Sequence, residues 1–261
     1  MGYHKLLIIL VFLLTVPNGM AAPVERPAVA AASDLQFALA AVATRFEADT
    51  QQSVRLSFGS SGNYFRQIGQ GAPFQLFLSA DENFVLQLHQ AGKTEDRGVL
   101  YATGRIVLFA PHGSSLQVDD QLAGLRNALA HGQIRRFAIA NPEHAPYGRA
   151  AEQALRKLGL WDALQRKLVL GENVSQAAQF AASGSTQGGI FAYSLALSPA
   201  VAKQGRHVLM PENLHQPLRQ RMALVKGAGA TAHAFYVYLQ QPAARAIFEK
   251  FGFVVPSGAR Q

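Results

Sequence analysis

Three times along this chain a short apolar run ends in a corner of small, hydroxyl-bearing or glycine residues that opens what reads as a helix. The corners are Ala32-Ser33-Asp34, Phe58-Gly59-Ser60-Ser61-Gly62-Asn63 and Asn141-Pro142-Glu143-His144-Ala145-Pro146-Tyr147-Gly148. Strands that pass directly into helices constrain the chain to an α/β architecture. Glycine lets the backbone turn tightly, and a helix N-terminus leaves unpaired N–H groups at the positive end of its dipole. Such a corner suits an anion held by neutral donors. Three corners of one style indicate a binding cleft more than a catalytic centre.

The rest of the pattern agrees. Strands are expected at Ala28–Ala32, Val54–Phe58, Gln75–Ser79, Arg105–Ala110, Phe137–Ala140, Gly188–Ala192, His207–Met210 and Leu218–Lys226, where branched or aromatic residues run between turn signals. Leu35, Leu39, Val42 and Phe46 fall at helical spacing, with Ser33 or Asp34 placed as the N-cap. Further helices are expected through Phe84–Leu88 and over Tyr147–Leu158, Asn173–Ala182 (capped by Asn173) and Thr231–Gln240, and from Pro242 to a stop at Gly252.

Met1–Lys5 is a basic start, Leu6–Val16 an apolar run, and Pro17–Ala22 an exit ending in small residues. That order describes a secretory leader over residues 1–22, cleaved after Ala21 or Ala22, and the apolar run falls well short of the roughly 20 residues that span a bilayer. The chain has no cysteine, so an exported form has neither disulfides nor a lipid-bearing thiol. Lys5 is the only charged residue removed with the leader, which takes the net charge from +8 to +7. No basic run with interleaved aromatics accompanies that charge, so nucleic acid is not an expected partner.

Gly59-Ser60-Ser61-Gly62 lacks the Gly-x-Ser-x-Gly order of a nucleophile elbow and the Lys-Ser/Thr ending of a phosphate-binding loop. Taken alone it is also an ordinary capped turn. Tyr147 sits where its backbone N–H and its phenol could both reach a ligand, or where the ring simply packs. His144 reads as a loop or surface residue. Histidine spacing supports no metal site. In Gly171-Glu172-Asn173-Val174-Ser175, Val174 would contribute through its backbone N–H. A secreted serine hydrolase using Ser61 is the reading from a different class, and no base for it is identifiable.

These motifs together resemble the periplasmic molybdate-binding proteins of ABC importers, from about Ala28 to Phe253. The resemblance is carried by Ala-Ala-Ser33-Asp34-Leu, Phe58-Gly-Ser-Ser61-Gly-Asn, Gly71-Ala-Pro-Phe74 leading to Phe77-Leu-Ser-Ala-Asp81, and Asn141-Pro-Glu-His-Ala-Pro-Tyr147-Gly. Leu158-Gly-Leu160, Glu172-Asn-Val174-Ser-Gln-Ala177 and Phe251-Gly-Phe253 complete it. It implies a type II periplasmic-binding-protein fold with two lobes, each a sheet flanked by helices, and the ligand in the interlobe cleft. Residues 23–103 and 213–261 would form lobe I and residues 104–212 lobe II.

The resemblance further implies a monomeric periplasmic receptor for molybdate and tungstate, with no cofactor and no metal beyond the molybdenum of the anion. Its partners would be the permease subunits of an importer. Ser33, Ser61, Tyr147 and Val174 fall at ligand-contact positions, with Asp34 and Tyr193 as weaker candidates. Asp34 stands where the family carries a neutral serine or asparagine. Either its side chain turns away to cap its own helix while its backbone N–H still contacts the ligand, the favoured reading, or it accepts a proton carried by the ligand. The second case would suit another tetrahedral oxyanion such as phosphate; sulfate and thiosulfate are the remaining alternatives.

Overall fold

The computed structural model describes residues 26–257, so the expected leader at 1–22 lies outside the described residues. In chain order the strands are β1 (Ala28–Ala32), β2 (Arg55–Gly59), β3 (Leu76–Ser79), β4 (Val99–Gly104), β5 (Ile106–Pro111), β6 (Phe137–Ala140), β7 (Leu168–Gly171), β8 (Gly189–Ala192), β9 (Gly205–Leu209) and β10 (Leu218–Leu224). The helices are α1 (Gln36–Thr50), α2 (Ser61–Gly69), α3 (Glu82–Gln90), α4 (Ala123–Ala130), α5 (Pro146–Lys157), α6 (Trp161–Leu164), α7 (Val174–Ala182), α8 (Tyr193–Ala196), α9 (Pro199–Ala202), α10 (Ala230–Tyr238) and α11 (Pro242–Lys250).

The strands form two five-stranded sheets, ordered β2-β1-β3-β10-β4 and β7-β6-β8-β5-β9. Within the first, β1 pairs in parallel with β2 and β3, and β10 runs antiparallel to β3 and β4. Every residue of β1, β3, β5, β6 and β8 is buried. Near-continuous apolar runs are what strands covered by helices on both faces require. The edge strands β2 and β9 are half-buried.

Each sheet carries its own core. In the first lobe Ala38, Leu39, Val42 and Phe46 of α1 are buried, and the Phe46 ring meets Phe235 and Tyr238 of α10 edge-on at 5.0 and 5.3 Å. In the second, Ala150, Ala151, Ala154 and Leu155 bury one face of α5. The chain passes from the first sheet to the second at Arg105 and returns over residues 210–217. At the first crossing the Arg105 guanidinium donates to the Gly252 carbonyl from Nε and from its terminal nitrogen, at 3.1 and 2.7 Å.

The start of the first helix differs from expectation. Ser33–Leu35 form a separate 3₁₀ turn whose N-cap is Ala32, with no side-chain capping bond. Strands β4 and β7 and helix α4 lie outside the sequence-based expectation. β4 is separated from β5 by Arg105 alone, so one apolar stretch holds two strands belonging to different sheets. β7 is an edge strand that follows Arg166 and Lys167 and leaves Leu170 exposed, which dilutes its hydrophobic signal.

Candidate functional site

Four strands deliver helix starts to one place, as expected at the carboxyl ends of strands in α/β sheets. β1 leads into the 3₁₀ turn at Ser33, β2 into α2, β6 into α5 and β7 into α7. Ser33, Asp34, Ser61, Tyr147 and Val174 line one small cavity, together with Ala32, Gly59, Ser60, Ala80, Ala145 and Pro146. The first two corners belong to one sheet and the last two to the other, so the cavity lies between the lobes.

The first-turn donors of these helices can be accounted for one by one. In α2, Gly62 N–H goes to the His144 carbonyl at 3.0 Å, Asn63 N–H to the capping Ser60 Oγ at 3.3 Å and Tyr64 N–H to the Ser60 carbonyl at 3.1 Å. In α7, Ser175 N–H goes to Ser33 Oγ at 3.2 Å, Gln176 N–H to the capping Asn173 Oδ1 and Ala177 N–H to the Asn173 carbonyl, both at 3.1 Å. In α5, Pro146 has no N–H, and Gly148 and Arg149 both donate to the Ala145 carbonyl. One donor per helix has no acceptor among the described residues: the N–H of Ser61, of Tyr147 and of Val174. All three residues line the cavity.

Two hydroxyls add to these. Ser33 Oγ accepts from Ser175 N–H, and Ser61 Oγ accepts from Ala80 N–H at 3.0 Å. Each oxygen is thereby positioned while its own proton stays available to donate. Five neutral donors therefore converge on one small cavity that no lysine, arginine or histidine lines.

Asp34 departs from the favoured expectation. Its side chain makes no capping bond; the residue is 1% exposed and sits in a buried network that joins the lobes. Tyr147 Oη donates to Asp34 Oδ2 at 2.8 Å, and Gln220 Nε2 donates to the same oxygen at 2.6 Å and to Tyr147 Oη at 3.1 Å. Tyr101 Oη donates to Gln220 Oε1 at 2.7 Å, the end of the amide turned away from Asp34. Asp34 Oδ1 is buried with no hydrogen-bond partner.

Burial pushes the Asp34 carboxyl up to about 6, and the bonds from Gln220 and Tyr147 keep it from rising further. The Tyr147 and Tyr101 phenols are pushed well above their ordinary value, first by burial and then by the neighbouring Asp34 charge. Gly104 makes room for this network, because a Cβ there would lie 2.1 Å from Tyr147 Oη.

His144, expected at the surface, is buried and clasps the lobes. Ser60 Oγ donates to the His144 carbonyl at 3.0 Å, which leaves its lone pairs for His144 Nδ1–H at 2.9 Å and for Asn63 N–H. His144 Nε2 faces Glu172 Oε2 at 3.6 Å, and the Asn63 amide reaches Glu172 as well. A second contact between the lobes is the ion pair of Arg149 of α5 with Asp81 at 2.6 Å. Tyr193 takes no part in the cavity. It packs under Arg105, whose guanidinium carbon lies 5.0 Å above the ring, and against Gly252.

Tyr101, Gln220, Ser175 and Ser60 are the site residues that sequence reasoning did not single out. Ser60, inside the glycine-serine corner, and Ser175, inside the Gly171–Ser175 motif, lie in segments with a local signal. Gln220 stands between Arg219 and Arg221 in β10, on the buried face it shares with Leu218 and Met222, and its burial depends on pairings distant in sequence.

Two α/β lobes that meet around a cavity of neutral donors define a solute-binding protein. Residues 27–254 match the family model described as bacterial extracellular solute-binding protein. The molybdate-binding protein ModA of Rhodobacter capsulatus is 35% identical over 246 residues, covering 92% of this chain and 94% of that one. ModA of Azotobacter vinelandii is 38% identical over 236 residues, covering 86% and 91%. The solved periplasmic molybdate-binding protein of Azotobacter vinelandii superposes with a TM-score of 0.80 at 33% identity, covering 89% of this chain and all of that one. The chain belongs to the bacterial extracellular solute-binding proteins and, within them, to the ModA family. These relatives are binding components of transport systems and not enzymes, which sets aside the hydrolase reading of Ser61.

Proposed function

We propose that the chain is an exported periplasmic receptor that captures molybdate, and tungstate with it, in the interlobe cavity and delivers it to the membrane subunits of an ABC importer. The observation that carries this reading is the donor accounting. Capping and packing satisfy every first-turn N–H but one in each of α2, α5 and α7, and those three face the same space as the hydroxyl protons of Ser33 and Ser61. A desolvated dianion is then held by charge-assisted hydrogen bonds with no counter-ion. The receptor works as a monomer and needs no cofactor.

Closure and binding are one event. The anion meets donors from both lobes only when they are together, so it favours the closed state by its differential affinity. Size sets selectivity against sulfate, because a smaller anion leaves donors of a fixed cavity out of reach. The Asp34 carboxyl on the cavity wall favours a second reading, in which the ligand is hydrogen phosphate and Asp34 accepts its proton. Calorimetry of the mature protein separates the two. Tight one-to-one binding of molybdate and tungstate, with sulfate and phosphate far weaker, is the expected result. Tight phosphate binding with no molybdate binding would overturn the proposal.

A further inference from the structure

We propose that Asp34 sets specificity by holding a proton against the bound anion: one proton lies between Asp34 Oδ1 and an oxygen of the ligand, and a fully deprotonated dianion binds with uptake of that proton from solvent. The inference deepens the receptor reading above and rests on it.

The geometry points to one oxygen. Asp34 is the only carboxyl lining the cavity. Its Oδ2 already accepts from Tyr147 Oη and Gln220 Nε2, while the other end of the Gln220 amide, Oε1, accepts from Tyr101. A proton on Oδ2 would collide with those donors, so the free position is Oδ1, buried and without a partner. The N–H groups of Asp34 and Leu35 lie near enough to ease the charge, yet neither meets hydrogen-bond geometry to Oδ1.

The titratable groups facing the carboxyl are Tyr147 from α5 and Tyr101 from β4. From β10 it meets the neutral Gln220, and from α8 Ser194 Oγ donates to the Asp34 backbone carbonyl at 2.8 Å. No cation hydrogen bonds to it. An ionised Asp34 would place a bare negative charge against a dianion in a dry cavity, where repulsion is little screened. A protonated Asp34 turns the same atom into a sixth donor. The balance is simple: the carboxylate gains a proton from buffer, and no other bond forms or breaks. The burial that already raises the carboxyl toward neutrality lowers the cost of that uptake.

Selectivity follows from basicity as well as size. Molybdate oxygens are more basic than those of sulfate and take a stronger hydrogen bond from a carboxylic acid. Hydrogen phosphate brings its own proton and needs none from solvent.

The test is calorimetry of the mature protein with sodium molybdate at about pH 8, in buffers of different ionisation enthalpy, where the slope of heat against that enthalpy counts protons. Wild type is expected to take up about one proton, falling toward none near pH 5, where free Asp34 is already protonated. Asp34→Asn should bind with no uptake at either pH. Binding without uptake in the wild type overturns the proposal and leaves the receptor reading standing, as does an Asn variant with unchanged uptake. A wild type that does not bind molybdate overturns the receptor reading and this inference with it. The Asp34 carboxyl carbon shift in labelled wild-type protein gives the same answer without a variant. Saturating molybdate should keep the carboxyl protonated at about pH 8, and an ionised signal there refutes the inference.

Discussion

Gly62→Ala tests whether the contact between α2 and the His144 loop belongs to the binding-competent, closed form. Gly62 N–H donates to the His144 carbonyl at 3.0 Å, and a Cβ on Gly62 would lie 2.6 Å from that oxygen, 3.0 Å from His144 Cα and 3.1 Å from its Cβ. The obstructing atom is backbone, clamped further by the bond from Ser60 Oγ, so it cannot swing away. Overpacking costs about 1–3 kcal/mol, and a weakened hydrogen bond adds roughly 1 kcal/mol. The sum, about 2–4 kcal/mol, falls only on the closed state. Apparent Kd for molybdate should therefore rise by roughly 30- to 700-fold. Within α2 alone alanine is the better helix former by about 1 kcal/mol, so the ligand-free melting temperature should hold or rise. Calorimetry and a thermal melt on the same preparation decide it. Unchanged affinity, or a loss of affinity matched by a loss of ligand-free stability, would refute the reasoning.

Ser61→Ala removes a hydroxyl donor to the anion and orphans the Ala80 N–H; a bond to a charged group is worth about 1.5–3 kcal/mol, so affinity measured by calorimetry should fall about 10- to 150-fold. His144→Ala keeps the loop carbonyl but deletes the imidazole bond to Ser60; the closed form should lose about 1 kcal/mol and Kd rise roughly fivefold. Asp34 also shapes ligand-free stability. Burial raises its folded pKa from 3.8 to about 6, so the native state holds the proton more tightly than the unfolded chain. That contribution is complete below about 3.8 and is lost as pH rises through about 6, an amount on the order of 3 kcal/mol. Urea melts across that window should show the loss in wild type and not in Asp34→Asn.

Much of the fold is legible in the sequence because the central strands are buried on both faces and so read as unbroken apolar runs. Ala28–Ala32 and Phe137–Ala140 fall where periodicity places them, and Asn173 caps its helix as expected. Local corner chemistry also marks Ser33, Ser61, Tyr147 and Val174, which converge on one cavity. What the sequence does not disclose is long-range pairing. The orientation of Asp34 depends on Gln220 and Tyr147, 186 and 113 residues away. His144 is buried because α2 of the other lobe closes over it, a contact spanning 84 residues. Tyr193, a weaker candidate implied by the resemblance, is turned toward Arg105 and Gly252 at the crossing between lobes.

The most direct measurement is a crystal structure of the mature protein grown with tungstate, whose anomalous signal locates the metal without reference to the protein. One peak in the cavity is expected, with anion oxygens about 2.7–3.2 Å from the N–H groups of Ser61, Tyr147 and Val174 and from the hydroxyls of Ser33 and Ser61. A peak elsewhere, or an anion in the cavity paired with a lysine or arginine in place of those five donors, would contradict the claim that neutral donors alone hold the dianion.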